Sequence, residues 1–299
     1  LRAAAECAGP VLLVDENEHP GGQRGAALQA VAESRTIDLS RFPCLERAWQ
    51  GQTAALEKFS CADQVTFRGG ARVIAGFAPD GLLIRKGQQL LTARAGRLVW
   101  AAGALDSLGL FPGNDTPGVC GPRALYRLVT RDSLDMHGKH VLLVGGGLDF
   151  WLCAGLLASR GAELSLVVTE PGGQAEVSAA VDQRWRLVTG LVLAGMRGRG
   201  QNRVEATFVP RATTPGPLDS HLRLRGDLAV VCRRGKPVYD IPYQLGAELV
   251  LRPELGGYVP RDAESAGPNG GAQLAVHGEA AGLVRDAAPP VMIEEGERS

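Results

Sequence analysis

Residues 1–23, LRAAAECAGPVLLVDENEHPGGQ, decide the fold. Leu1 to Ala8 is a small-residue helical segment, Gly9-Pro10 breaks it, Val11 to Val14 is a short apolar strand, and Asp15-Glu16 stands at the strand's end. Helix, strand, acid is the order found in a Rossmann-type βαβ unit. There the carboxylate after the second strand accepts hydrogen bonds from the adenosine ribose hydroxyls. Asp15 takes that place, with Glu16 beside it. The sequence does not contain the preceding strand or the glycine-rich turn whose backbone N–H groups would hold a pyrophosphate, and it does not open with Met. The expectation is a truncated dinucleotide-binding unit.

The segment runs on as His19-Pro20-Gly21-Gly22-Gln23. Paired glycines let backbone approach a cofactor closely. Asp-Glu, a polar spacer, then Pro-Gly-Gly-Gln resembles the FAD-binding start of two-dinucleotide-domain flavoproteins. The resemblance is nearest to the flavoprotein subunit of multi-subunit amine dehydrogenases and oxidases: opine oxidase, hydrogen cyanide synthase, dye-linked proline or hydroxyproline dehydrogenase, and the related part of heterotetrameric sarcosine oxidase. It implies an α/β chain in which a Rossmann-like FAD domain carries an inserted NAD-type domain. Asp15, Glu16, Gly21, Gly22 and Gln23 would then contribute to the FAD site.

Composition bounds the other classes. The 299 residues allow two domains. Thirty-two basic residues balance 32 acidic ones, which gives no sign of a nucleic-acid or membrane partner. No apolar run reaches the ~20 residues of a membrane span, and the first residues do not read as a signal peptide, so the expected location is cytoplasmic. Six scattered cysteines, Cys7, Cys44, Cys61, Cys120, Cys153 and Cys232, include no pair at two-residue spacing. That argues against a disulfide framework, a zinc ribbon or a redox-active couple and for buried structural thiols. Neither the cysteines nor the five histidines are spaced as ligands, so no metal is expected.

Further along, Asp38 to Phe59 reads as helix, with Phe42, Trp49 and Phe59 as core. Val65 to Phe67 and Ala71 to Ala75 alternate as strands; in flavoproteins of this kind a strand near the adenine makes a backbone contact where Val73 stands. Leu82 to Arg85, Leu90 to Ala93 and Arg97 to Trp100 follow as a β-meander. Leu98 to Ala104, LVWAAGA, is similar to the Ala-Thr-Gly-Ala run that closes the first half of the FAD domain, which makes Ala102 and Gly103 cofactor-binding candidates. Residues 110–119, LFPGNDTPGV, have the turn chemistry of a crossing between domains.

The second unit opens with strand His140 to Val144, turn Gly145-Gly146-Gly147, helix Leu148 to Ala158, and strand Leu164 to Val168 ending near Glu170. Gly145 and Gly147 fill the first two positions of G-x-G-x-x-G, but Phe150 stands at the third. That predicts a displaced helix or a weakened nicotinamide-nucleotide site. Glu170 is placed for the second ribose. Beyond it the unit reads as shortened, with strands at Arg184 to Leu193 and Val204 to Val209. Leu228 to Cys232 is a buried strand, and the Gly-Lys-Pro and Gln-Leu-Gly motifs after it resemble the return to the FAD domain. Leu274 to Gly282 resembles the last FAD motif, with Gly278 and Glu279 as its cofactor contacts. The expected division is 1–121 for the first FAD part, 122–225 for the NAD-type insert and 226–299 for the second FAD part.

The resemblance implies a FAD-dependent electron-transfer subunit. It would act with a second flavoprotein subunit on the C–N bond of an amine, imino acid or opine. NAD is a weaker second cofactor, and no catalytic residue can be named. Two alternatives stand beside this reading: a self-contained NAD(P)H-dependent flavin reductase, and a non-catalytic scaffold relic. No cysteine follows Cys232, so no iron–sulfur cluster is expected.

Overall fold

The computed structural model describes residues 1–5, 7, 9–77, 81–169, 174–183, 185–200, 203–211, 221–262, 264–266, 273–277 and 280. It begins with a four-residue helix, α1 (Arg2–Ala5), then strand β1 (Val11–Val14) and helix α2 (Gly22–Ser34). Asp38 caps a short 3-10 turn by accepting from the Ser40 amide, and Pro43 then opens helix α3 (Pro43–Ser60). Strand β2 (Val65–Arg68) lies parallel to β1.

Strands β3 (Ala71–Phe77), β4 (Gly81–Lys86) and β5 (Gln89–Arg94) form an antiparallel meander with a bulge between Val73 and Ala75. The fourth strand, β6 (Arg97–Trp100), corrects the expected meander. It leaves that sheet and pairs in parallel with a strand near the other end of the chain. Short strands β7 (Ala104–Leu105) and β8 (Val119–Cys120) lead to helix α4 (Pro122–Thr130).

The second unit is the best-packed part of the molecule. Strand β9 (His140–Gly145), helix α5 (Gly147–Ser159) and strand β10 (Glu163–Val168) follow the sequence pattern closely. Nearly every residue of β9 and β10 is buried, as expected of parallel strands covered on both faces. Helix α6 (Gln174–Asp182), not assigned from the sequence, precedes β11 (Arg186–Thr189), which lies parallel to β10. The segment read as one strand from residue 184 to 193 is two, because Gly190, at φ +75°, turns the chain into β12 (Leu191–Gly198). Strands β12, β13 (Val204–Pro210) and β14 (Leu222–Gly226) form an antiparallel sheet. One of its faces packs Met196, Val204, Ala206, Phe208 and Leu224 on Leu142, Val144, Val167, Ala229 and Val231.

Strand β15 (Leu228–Cys232), read from the sequence as the start of the returning segment, lies instead inside this unit, parallel to β9. The sheet order β11-β10-β9-β15-β8 draws in Val119–Cys120 as well. The chain then runs through β16 (Lys236–Pro237), helix α7 (Asp240–Gln244), β17 (Leu249–Arg252), β18 (Gly257–Pro260), β19 (Glu264–Ala266) and β20 (Gln273–Val276), the partner of β6.

One apolar core joins the two halves. Ala27, Leu28, Val31, Phe42 and Leu45 of the first pack against Leu125, Leu143, Phe150, Trp151, Leu152 and Leu156 of the second. Phe42 sits between Trp151 and Trp185, with ring centroids at 5.9 and 6.0 Å. At the same junction the buried Glu176 carboxylate accepts from the Cys44 amide at 3.1 Å, at the N-terminus of α3. Glu176→Ala is expected to cost about 1–3 kcal/mol by taking away the acceptor of this buried N–H. A chemical-denaturation midpoint unchanged from the parent would refute this.

Candidate functional site

Asp15 is fixed where β1 ends. Its amide donates to the Arg68 carbonyl at 3.2 Å, and its own carbonyl accepts from the Ala71 amide at 3.0 Å. Its Oδ1 accepts from the backbone and side-chain nitrogens of Asn17, at 2.9 and 2.8 Å. That turn leads the chain from the strand end to Gly21 and Gly22, which take φ +117° and +69°. Only glycine accepts this pair without strain, and it aims α2 away from the strand. Gln23 Nε2 donates to Glu16 Oε1 at 3.4 Å, so Glu16 and Gln23 stand together beside Asp15.

A second group forms where β6 ends. The Trp100 indole donates to the Val238 carbonyl at 2.8 Å. The Val238 amide donates to Gly103 and the His277 amide to Trp100. Ala102 and Gly103, with Gly103 at φ +76°, therefore lie beside the end of β20, although the sequence separates them widely. Val73 stands at the bulge of β3 and packs against the small core that includes Ile241, Leu245 and Leu274. Glu170, Gly278 and Glu279 lie outside the described residues.

The turn Gly145-Gly146-Gly147 joins β9 to α5. Gly145 has φ +141°, and a Cβ there would overlap the Cys232 carbonyl of the neighbouring strand. Gly147 has φ +74° with nothing within 4 Å of where a Cβ would stand, so open space adjoins the helix N-terminus. Phe150, at the third position of the motif, is fully buried, edge-on to Trp151 at 4.9 Å. It belongs to the apolar core that α5 shares with α2 and α3. Gly145→Ala should destabilise by about 3 kcal/mol, combining overpacking with a backbone angle that an L-residue resists. Thermal unfolding measures it, and an unchanged transition would refute it.

The charged centre of the region escaped the sequence reading. Asp149, in the first turn of α5, receives Nε and Nη2 of Arg24 at 2.9 Å each and the Tyr126 hydroxyl at 2.9 Å. Arg123 stands 3.7 Å away and also bridges to Asp106 at 3.3 Å. Asp106 in turn caps α4, accepting from the amides of Arg123 and Ala124 at 3.2 and 3.0 Å. Two acids thus balance two arginines between α2, α4 and α5. Burial pushes the Asp149 carboxyl up, but Arg24, Arg123 and the Tyr126 hydroxyl outweigh it and hold the group below its ordinary range. Burial, then Asp149, drives the Tyr126 phenol well above its usual range and keeps it a donor.

Two of the six thiols lie against each other. Cys153 and Cys232 are buried, with sulfurs 4.0 Å apart, and burial pushes the Cys232 thiol up. Burial likewise pushes Cys120 up to about 12. Cys44 is buried too and Cys120 half-buried, while Cys7 and Cys61 are exposed, so the reading of buried thiols fails at these two. Among the described residues no group of His, Cys, Asp and Glu could hold a metal, and no helix is long and apolar enough to cross a membrane.

No protein-family model matches the sequence, and no curated protein matches it. Solved structures do. The flavoprotein disulfide reductase RclA of Escherichia coli superposes with a TM-score of 0.56 at 14% identity, over 95% of this chain and 64% of its own. This chain therefore spans less than two thirds of that protein. Thioredoxin reductase of T. acidophilum gives 0.57 at 16% identity, over 91% and 93%. L-proline dehydrogenase of P. horikoshii gives 0.55 at 18%, over 91% and 46%. At such identities the likeness is one of fold: α/β, with the two dinucleotide-binding domains of flavoprotein oxidoreductases.

Proposed function

We propose that this chain is the electron-transfer part of a FAD-dependent oxidoreductase that acts with a second flavoprotein subunit on the C–N bond of an amine, imino acid or opine. The observation that carries the reading is the convergence of Trp100, Gly103, Val238 and His277 where β6 and β20 end. In open α/β sheets a dinucleotide lies across the carboxyl ends of the strands. Asp15 would hold the adenosine ribose, with Gly21, Gly22 and Gln23 following it. Gly103 offers backbone free of a side chain, and Gly278 and Glu279 would come next after His277. Bound FAD would supply a hydride and electron acceptor; the chain's own residues bind and orient it. We take residues 1–121 and 226–299 as the two FAD-type parts and 122–225 as the insert, with β15 lent to the insert's sheet.

We assign substrate oxidation to the partner, as the resemblance to multi-subunit amine dehydrogenases implies. The test is an assay with proline, hydroxyproline, glycine, sarcosine and opines plus an artificial acceptor, on a chain extended by the strand and glycine turn that hold a pyrophosphate and loaded with FAD. Turnover is expected only when the partner subunit is added, and turnover without it would refute the proposal.

A self-contained nicotinamide-dependent reductase is the second reading, favoured by the open space beside Gly147 and by the parallel sheet around β9. Glu170, which the motif in the sequence assigns to the ribose, would repel a 2′-phosphate. Any nicotinamide bound should be NAD, and micromolar NADPH binding in calorimetry would refute that preference.

A further inference from the structure

The outward face of the β12-β13-β14 sheet carries a charge that the balanced total conceals. Residues 191–226, which run from β12 to β14, hold six arginines against two acids, Glu205 and Asp219, an excess of four in a chain whose net charge is zero. The rest of the chain therefore carries the opposite excess. Along β13 the side chains alternate, so Val204, Ala206 and Phe208 enter the core while Glu205 and Thr207 point outward. Register puts Arg197 and Arg225 on either side of Glu205, and Arg223 beside Thr207.

Glu205 organises this face. Arg197 Nε reaches its Oε1 at 2.9 Å, Arg199 Nη2 spans both oxygens at 2.8 and 3.0 Å, and Arg225 Nε reaches Oε2 at 2.8 Å. The carboxylate is covered completely, whereas the side chains of Arg197, Arg199 and Arg225 remain 53, 38 and 68% exposed. One guanidinium would neutralise one carboxylate. Three leave two positive charges held in place and facing solvent, with Arg223 adding a third.

We propose that this face docks the acidic surface of a partner protein. Strands are about 4.8 Å apart, which sets Arg197 and Arg225 roughly 10 Å apart at the backbone, with Arg223 about 7 Å along the strand from Arg225. That spread matches several carboxylates on a protein surface better than one small anion, which binds best where donors converge in a concave site. A nucleic acid would run beyond the patch onto a remainder of like charge, whereas a bounded acidic patch would not. Complementarity of this kind sets orientation and encounter rate, and salt weakens it.

The test uses the whole chain and a fluorescein-labelled octaglutamate peptide, read by anisotropy across a salt series. An oligothymidylate of equal charge and inorganic phosphate serve as competitors. Saturable peptide binding that weakens with salt is expected, falling at least about tenfold in Arg197→Glu/Arg225→Glu. Arg223→Glu, which touches no Glu205 oxygen, should lose several-fold with the fold intact, and Arg85→Glu on the exposed side of β4 should lose nothing. No saturable binding, an equal loss in Arg85→Glu, or an oligonucleotide or phosphate that binds more tightly than the peptide would each overturn the proposal.

Discussion

Asp149→Ala is expected to cost about 3 kcal/mol, because it takes from the part-buried Arg24 and Arg123 the carboxylate they share. The side chains involved are only 15–25% exposed, so water replaces little of what is lost. In a chain of this size the melting temperature should fall by about 10 °C. Arg24→Met should cost less, since Arg123 and the Tyr126 hydroxyl would still hold the acid. The same cluster sets an acid limb. A carboxyl held below its unfolded pKa lends stability that is present above that unfolded value and lost as pH falls through the lower folded one. Asp149→Asn should flatten that limb between the two values. A loss below 1 kcal/mol in Asp149→Ala, or an acid limb unchanged in Asp149→Asn, would show that the bridge is ornamental.

That cluster also marks where sequence reading stops. The β9–α5–β10 unit was legible because its signals are local: buried apolar runs, a glycine turn, and a helix stop at Gly161. So were β1 with its terminal acid, and Phe42 as core. The partners of Asp149 were not, because Arg24 lies 125 positions away and nothing in either neighbourhood signals the other. The same limit hid β6, whose period matches a meander while its parallel partner lies near the far end of the chain. It also hid β15, where a buried strand announces that it is central but not to which sheet it is central. The basic face of β12-β13-β14 went unread because a balanced total says nothing about how charge is divided between faces.

The largest effect on binding should come from adding a strand. In the second unit, β9 lies between β10 and β15 and ends in the Gly145–Gly147 turn. The first half repeats the flanks of that arrangement: β1 pairs with β2 as β10 pairs with β11, and β6 runs parallel to its own partner. Among the described residues, no strand pairs with the other edge of β1 or of β6. Leu12 and Val99 on those strands are 46 and 44% exposed. A strand of about five apolar residues ending in Gly-x-Gly-x-x-Gly, added before Leu1, would fit that place. It would carry backbone N–H groups toward Asp15 and Gly103. Two such donors to a pyrophosphate are worth about 3–6 kcal/mol, or roughly 10²–10⁴ in affinity. The 299-residue chain should therefore bind FAD weakly and the extended chain should purify with it, as read from flavin absorbance at equal protein concentration. Stoichiometric flavin on the unextended chain would show that Asp15, Gly22 and the β6 end suffice without a pyrophosphate turn, and equal weak binding by both would remove the flavin from this fold.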